Sequence, residues 1–276
     1  MHKVLLTLFF AVGFSSALSQ ILLLRELHCV CSGNEIFLGA ALASWLFWTG
    51  LGSMFPGMKR LPAALSKVRA FMVENASVLL PGALAVSGML LIGGIFLTRI
   101  SVVLSGFRQG EMIGILPMFV LTAVLLAPAA FLSGLTFGLG SVLRPSATPL
   151  YVSEMLGFCL GGIVYTFISA GRLGAFESAF LLSAINVTAA TTFLFFNRFK
   201  RLVTACLCFL LLTVVSIHSG APGYLSRKAA AIQWKGHEVL AEKDTPIQRI
   251  TLVKTGSIFS AYSNGKISFS WPDREG

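Results

Sequence analysis

Long apolar runs separated by short polar stretches make up most of the first 217 residues of the chain. A helix needs roughly 20 apolar residues to cross the bilayer core, and in lipid only helices and closed barrels satisfy their own backbone hydrogen bonds. We therefore predict an α-helical integral membrane protein with about seven transmembrane helices. The predicted spans are Val4–Leu24, Ile36–Phe55, Ala76–Leu97, Ile113–Leu132, Leu150–Ile168, Phe176–Phe196 and Leu202–Ile217.

The composition excludes a soluble globular protein. Hydrophobic residues make up 55% of the chain and charged residues 12%, whereas soluble domains carry about 25% charged residues. The net charge of +10 comes from basic residues in short clusters between apolar runs. Such clusters are typical of loops that orient a membrane protein, so we expect the lipid bilayer as a partner and no nucleic acid.

Lysine and arginine are divided unevenly between the two sets of predicted loops. The richer side carries Lys3, Lys59, Arg60, Lys67, Arg69, Arg144, Arg198, Lys200 and Arg201, and the other side carries Arg25, Arg99, Arg108 and Arg172. Because basic loops stay in the cytoplasm, we predict a multi-pass protein of the cell membrane with a cytoplasmic N-terminus. Seven spans would place the C-terminal tail outside. The seventh run is short, so the side of the tail stays open.

The first apolar run also has features of a secretory signal peptide. It has a basic start, an apolar middle and a small-residue stretch at Ala17-Leu18-Ser19 that resembles a cleavage site. However, the apolar run resumes at once with residues 21–24, which makes it long enough to remain as a spanning helix. We expect retention of this helix, with cleavage as the alternative.

Ionisable residues at the ends of the predicted spans form a candidate polar site. Arg25 and Glu26 close the first span, Glu35 opens the second, Glu154 lies one turn into the fifth and Glu177 opens the sixth. The helix dipole favours carboxylates in a first turn, and arginine extends readily from a helix end to water, so structural roles explain these residues. The alternative is an intramembrane cluster of Arg25 with Glu154 or Glu35, which would suit a small charged solute.

Glycines recur four residues apart in the fourth and fifth predicted spans. They are Gly134 with Gly138, and Gly157 with Gly161, which is followed by Gly162. Small residues at this spacing let two helix backbones approach closely in lipid. We predict that these glycines lie at helix contacts.

The cysteines do not have the spacing of a metal site. Zinc sites need four ligands, commonly with C-x-x-C spacing, whereas this chain has two C-x-C pairs with only His28 near the first. We therefore predict no metal. The five cysteines are Cys29, Cys31, Cys159, Cys206 and Cys208.

The chain changes character after the last apolar run. Apolar and polar residues alternate in Arg249–Lys254, Ile258–Tyr262 and Lys266–Ser270, and Asn264-Gly265 separates the last two. Alternation around Asn-Gly predicts a β-hairpin. We predict two domains: a transmembrane helical domain at residues 1–217 and a soluble β-strand segment at residues 218–276.

Several stretches resemble the membrane-embedded spermidine synthase-like proteins, a family of polyamine aminopropyltransferases. Four lie in the membrane part, and the fifth is the β segment that follows. They read GFSSALSQILLLREL, GNEIFLGAALASWLFWTGLGS, PAAFLSGLTFGLG, YVSEMLGFCLGGIVYTF and DTPIQRITLVKTGSIFSAYSNGKISFS. The resemblance implies that the tail corresponds to the strands that open the family's catalytic part.

The resemblance implies one substrate-binding residue. Aminopropyltransferases carry a Tyr/Phe-Gln pair whose glutamine contacts the aminopropyl donor, decarboxylated S-adenosylmethionine. This chain has Ile247-Gln248, so the glutamine is kept and the aromatic residue is lost. Gln248 is the residue that the resemblance assigns to the donor.

The family's catalytic machinery would follow the part that this chain resembles. That machinery comprises a glycine-rich loop that cradles the nucleoside and acidic residues that deprotonate the attacking amine. We therefore expect no catalytic residue and no cofactor in this chain, and expect it to be the membrane-anchoring and β-ribbon portion of a truncated or split protein. A separate soluble methyltransferase-like catalytic domain would be its partner, and a homo-oligomer stays open. The alternative function is a multi-span transporter or solute-binding protein with a vestigial tail.

Overall fold

The computed structural model describes residues 2–31, 35–107, 114–144 and 146–272. Within these ranges seven helices are long and apolar enough to cross a membrane, and each overlaps one of the seven predicted spans, although the predicted start of the fourth span at Ile113 lies outside the described residues. The chain is an α-helical multi-pass membrane protein. Its helices are α1 His2–Val30, α2 Glu35–Met54, α3 Ala63–Glu74, α4 Ala76–Leu104, α5 Ile115–Leu143, α6 Thr148–Val164, α7 Ala175–Phe196, α8 Lys200–His218 and α9 Ala221–Gln233.

Helices α1 and α6 form one closely packed pair. A Cβ atom at Gly157 would lie 2.0 Å from the carbonyl oxygen of Phe10, and one at Gly13 would lie 1.9 Å from the carbonyl oxygen of Glu154. Gly161 continues the contact one turn later, against the backbone of Phe14. Only glycine allows such backbone contact, so the predicted packing role of Gly157 and Gly161 is confirmed.

Helices α2 and α5 form a second pair of the same kind. A Cβ at Gly134 would lie 2.0 Å from the carbonyl oxygen of Thr49, and one at Gly138 would lie 2.6 Å from that of Ser53. These two glycines are also packing residues, as predicted. The prediction is wrong for Gly162, since a Cβ there would meet no atom within 4 Å.

Helix α1 also packs against α4 and α7, and a polar contact joins the three. The side-chain amide of Asn186 on α7 donates to the hydroxyl of Ser15 on α1 at 2.7 Å and to that of Ser87 on α4 at 2.9 Å. Interhelical hydrogen bonds of this kind support packing in lipid. Lipid tails are as apolar as the side chains, so the hydrophobic effect alone does not drive helices together there. The central position of α1 brings its C-terminal end to the tail.

The tail begins with a helix, which corrects the prediction of a β-strand segment from residue 218. Helix α9 starts with Pro222 in its first turn, where proline is well tolerated. It packs against α4 and α7. Its alanine-rich sequence favours a helix, but α9 is too short and too polar to span a membrane.

Four antiparallel strands follow α9 and form one sheet in the order β1-β2-β3-β4. Asn264 and Gly265 both have positive φ, 45° and 79°, as the two-residue hairpin turn between β3 and β4 requires, so the predicted hairpin is confirmed. The strands are β1 Glu238–Asp244, β2 Arg249–Thr255, β3 Ile258–Ser263 and β4 Lys266–Trp271.

The two faces of this sheet have different surroundings. Thr251, Val253 and Ser260 are buried on the face that meets the helices. On the other face Phe269 and Trp271 are 62% and 61% exposed. Side chains alternate between the faces of a strand, so one face is docked on the membrane domain and the other is open.

Candidate functional site

The tail meets the membrane domain at a cluster of buried ion pairs, which we call the docking network. It contains three arginines and three carboxylates, whose formal charges cancel. Helix α1 contributes two of them, α4 one, β1 two and β2 one. The docking network consists of Arg25, Glu26, Arg99, Glu242, Asp244 and Arg249.

Glu26 lies at the centre of the docking network and is fully buried. Arg99 donates from Nε to its Oε2 at 2.8 Å and from Nη2 to its Oε1 at 3.3 Å. Arg249 donates from Nη1 to Oε2 at 2.8 Å and from Nη2 to Oε1. Both contacts are bidentate, the strongest arrangement for an arginine and a carboxylate. Together they offset the free-energy cost of removing the carboxylate from water.

Carboxylates of strand β1 complete the pairing of these arginines. Asp244 Oδ1 accepts from Arg249 Nε at 2.8 Å, and Glu242 Oε1 accepts from Arg99 Nη1 at 3.0 Å. The guanidinium of Arg99 also lies over the ring of Phe176, 5.3 Å from its centroid. Each buried arginine therefore contacts carboxylates from both the membrane domain and the tail.

Arg25 holds the end of strand β1 from a second direction. Its Nη2 lies 3.4 Å from Asp244 Oδ1 and donates to the carbonyl of Thr245, while its Nη1 donates to the hydroxyl of Tyr165 at 3.0 Å. Tyr165 begins the π-helical turn Tyr165–Ser169 that continues α6. The docking network thus connects the tail to α1, α4 and the end of α6.

The turn between β3 and β4 also contacts the region of the docking network. Asn264 Oδ1 accepts from the backbone N–H of Arg249 at 2.9 Å and from the thiol of Cys29 at 3.6 Å. The indole ring of Trp234, at the end of α9, lies edge-on against Tyr262 with ring centroids 4.6 Å apart. These contacts hold strands β2 and β3 against the helices.

The pKa values of Arg249 and Cys31 are displaced from their ordinary values. Burial opposes the charge of Arg249, but the attraction of Glu26 and its hydrogen bonds outweigh burial, so the pKa of Arg249 is raised well above its ordinary value. Burial raises the pKa of the Cys31 thiol to about 12. Arg249 is therefore charged at any physiological pH, and Cys31 is an unreactive protonated thiol.

The intramembrane cluster considered from the sequence is not assembled. Arg25 pairs with Asp244 of the tail, while Glu154 lines a separate cleft between helices and forms no ion pair with any residue that the structure describes. Glu35 begins helix α2, and its side chain lies outside the described part of the chain. Arg25 and Glu154 thus belong to two different places in the molecule.

Gln248, the residue assigned to the aminopropyl donor, lies in the turn between β1 and β2. Its Oε1 accepts from the hydroxyl of Ser263, and its carbonyl accepts from the backbone N–H of Thr245 at 2.8 Å. Its neighbour Ile247 is 90% exposed. The geometry gives Gln248 a role in the turn, and its contact with a donor stays a prediction.

Sequence reasoning missed most of the docking network. The span boundaries predicted from hydropathy place Arg99 in a loop, whereas it lies inside the long apolar helix α4. The alternating pattern places Arg249 in a strand but does not show that it is buried. Two sequence features could have indicated that these arginines are buried. Arg99 follows a long apolar run with no turn residue between them, and Arg249 shares a strand face with Thr251 and Val253. Their common partner Glu26 could not be inferred from either pattern.

Neither a metal site nor a known relative identifies the protein. No three histidine, cysteine, aspartate or glutamate side chains within the described ranges could together hold a metal ion. Comparison with protein-family models, curated proteins and solved structures gives no match. The function must therefore be argued from the geometry of the chain itself.

Proposed function

We propose that this chain is a membrane anchor that presents its β-sheet to a soluble catalytic domain, as the membrane-anchoring and β-ribbon portion of a spermidine synthase-like aminopropyltransferase of polyamine biosynthesis. One observation carries the proposal: the sheet is docked by one face and open on the other. The docking network holds the first face against the helices. The open face is apolar and exposed.

The docked face argues for a defined position of the sheet. Breaking a buried ion pair by removing one partner costs about 3–5 kcal/mol, and Glu26 is shared by two such pairs. A vestigial tail would not require this arrangement, since no function would depend on its orientation. The network fixes the orientation of the sheet, and orientation matters when the sheet must meet a second surface.

The open face has the character of a protein contact. Ile250, Phe259, Phe269 and Trp271 share this face, as the strand register shows, and three of them are at least 40% exposed. Contiguous exposed apolar side chains mark interaction surfaces, and aromatic residues are enriched at such interfaces. Strand β4 is the last strand in the order, so its outer edge could also pair with a partner's strand.

Gln248 lies at the rim of this open face. It precedes Arg249, which is buried on the docked face, so by alternation Gln248 falls on the same side as Ile250. Its hydroxyl partner Ser263 is paired with Ile250 across the strands. A catalytic domain seated on the open face would thus lie next to Gln248, where the resemblance expects decarboxylated S-adenosylmethionine.

The test is reconstitution of activity from two polypeptides. The full chain in lipid nanodiscs is mixed with a spermidine synthase catalytic domain that lacks its opening strands, and aminopropyl transfer from decarboxylated S-adenosylmethionine to putrescine is measured. We expect transfer only in the mixture. We expect Phe269→Ser combined with Trp271→Ser to abolish it, because the contact surface becomes polar.

The matched control is Phe71→Ser. Phe71 is an equally exposed phenylalanine on α3, away from the sheet, and its substitution should leave the activity of the mixture unchanged. Transfer by the full chain alone would refute the proposal. Activity of the mixture that survives the double substitution on the open face would refute it as well.

A further inference from the structure

A largely apolar cleft that contains one carboxyl group separates the two closely packed helix pairs. It lies between α1–α6 on one side and α2–α5 on the other and has a volume of about 650 Å³. Sites for small molecules commonly have volumes of about 300–1,000 Å³. The cleft is lined by residues from all four helices and shares none with the docking network.

Glu154 is the only carboxylate among the residues that line this cleft. It is 9% exposed, and it has neither an ion pair nor a side-chain hydrogen bond with the residues that the structure describes. This environment contrasts with that of Glu26, which is paired with two arginines. A buried carboxylate without a partner is costly, and in a membrane such a residue commonly marks a ligand or ion site.

The backbone contact with α1 fixes the position of Glu154. A Cβ at Gly13 would lie 1.9 Å from the carbonyl oxygen of Glu154, so the two helices touch at this residue. A movement of α6 that took Glu154 out of the cleft would therefore separate α1 from α6. The carboxyl group thus has a fixed place in the wall of the cleft, where a cation would compensate its charge.

The remaining lining residues complement an organic cation. Trp45, Tyr151 and Phe158 present aromatic rings, and Ser16 and Gln20 present oxygen atoms that can accept hydrogen bonds. Aromatic faces attract ammonium groups. A calcium or magnesium ion would instead need about six oxygen ligands at fixed distances, which a single carboxylate does not supply.

We propose that this cleft binds a small organic ammonium ion, with its charged nitrogen at Glu154 and its aliphatic part along the aromatic rings. The site is formed entirely by transmembrane helices. It is therefore independent of the function proposed for the sheet, and it gives the alternative of a solute-binding or transport protein a specific location.

The experiment measures binding of radiolabelled hexylammonium to the full chain in nanodiscs, with empty nanodiscs as background. We expect saturable binding that unlabelled hexylammonium displaces and hexanol, which has the same chain but no charge, does not. Glu154→Gln should weaken binding at least tenfold because it removes the charge with little change in shape. Glu74→Gln, at an exposed glutamate at the end of α3, should leave binding unchanged.

A second pair of variants covers the case in which Glu154→Gln fails to fold. A Cβ at Gly50 meets no atom within 4 Å although Gly50 lines the cleft, so Gly50→Leu should fill the cleft and weaken binding at least tenfold. Gly39→Leu on the same helix is the control, since Gly39 also has free space but does not line the cleft. Equal displacement by hexanol, or unchanged binding in a folded Glu154→Gln or Gly50→Leu protein, would overturn the proposal.

Discussion

At the scale of single residues, Glu26 accepts hydrogen bonds from Arg99 of helix α4 and Arg249 of strand β2. Among the described residues of the membrane domain, Glu26 is the carboxylate that pairs with both buried arginines. Glu242 and Asp244 belong to the tail itself. If the Glu26 charge is lost, both guanidinium groups keep tail partners but lose their partner in α1.

We predict that Glu26→Gln releases the sheet from the membrane domain. The substitution leaves buried positive charge uncompensated, which costs about 3–5 kcal/mol. Limited trypsin digestion in nanodiscs should therefore cut the tail at least about a hundredfold faster, since 1.4 kcal/mol corresponds to a factor of ten. Glu238→Gln, at the exposed start of β1, is the control and should be cut at the wild-type rate. An unchanged rate in Glu26→Gln would show that the docking network does not hold the tail.

At the scale of helices and strands, the sequence predicts the membrane spans and the hairpin but not helix α9. The seven spans follow from hydropathy, and the hairpin follows from alternation and Asn264-Gly265. Residues 221–233 are too few and too polar for a span, so hydropathy does not reveal helix α9, although its alanines and its early proline favour a helix. Its position is decided by packing against α4 and α7.

Helix contacts through glycine lead to a prediction about Gly157. Gly157→Ala would place a methyl group 2.0 Å from the carbonyl oxygen of Phe10, so α1 and α6 must separate. Overpacking of this kind costs about 1–3 kcal/mol, which should lower the midpoint of unfolding in mixed detergent micelles.

Gly162→Ala is the matched control on the end of the same helix. It meets open space and replaces glycine by a better helix former, so its unfolding midpoint should be unchanged or slightly higher. Equal midpoints for Gly157→Ala and Gly162→Ala would show that the α1–α6 contact tolerates a side chain.

At the scale of the whole molecule, the seven candidate spans of the described residues predict that the N-terminus and the sheet lie on opposite sides of the membrane. The loops on the side of the N-terminus carry most of the loop lysines and arginines. The positive-inside rule predicts that this side is cytoplasmic, and seven spans would then place the sheet outside. A catalytic domain seated on the open face would have to work there.

We predict the corresponding labelling pattern in intact cells. Ser257→Cys lies in the exposed turn between β2 and β3 and should react with a membrane-impermeant maleimide. Ala64→Cys lies at the exposed start of α3 and should react only after permeabilisation, with the unsubstituted chain as background. The opposite pattern would place the sheet in the cytoplasm and contradict the orientation inferred from charge.

The sequence by itself determined the membrane class, the seven spans, the packing glycines and the hairpin, because hydropathy, residue spacing and turn chemistry act over short stretches of chain. Only the tertiary structure decided which charges meet. Glu26 pairs with arginines that are 73 and 223 residues away, and Arg25 pairs with Asp244 rather than Glu154. The strength of an ion pair depends on distance and burial in space, and neither can be read from separation along the chain.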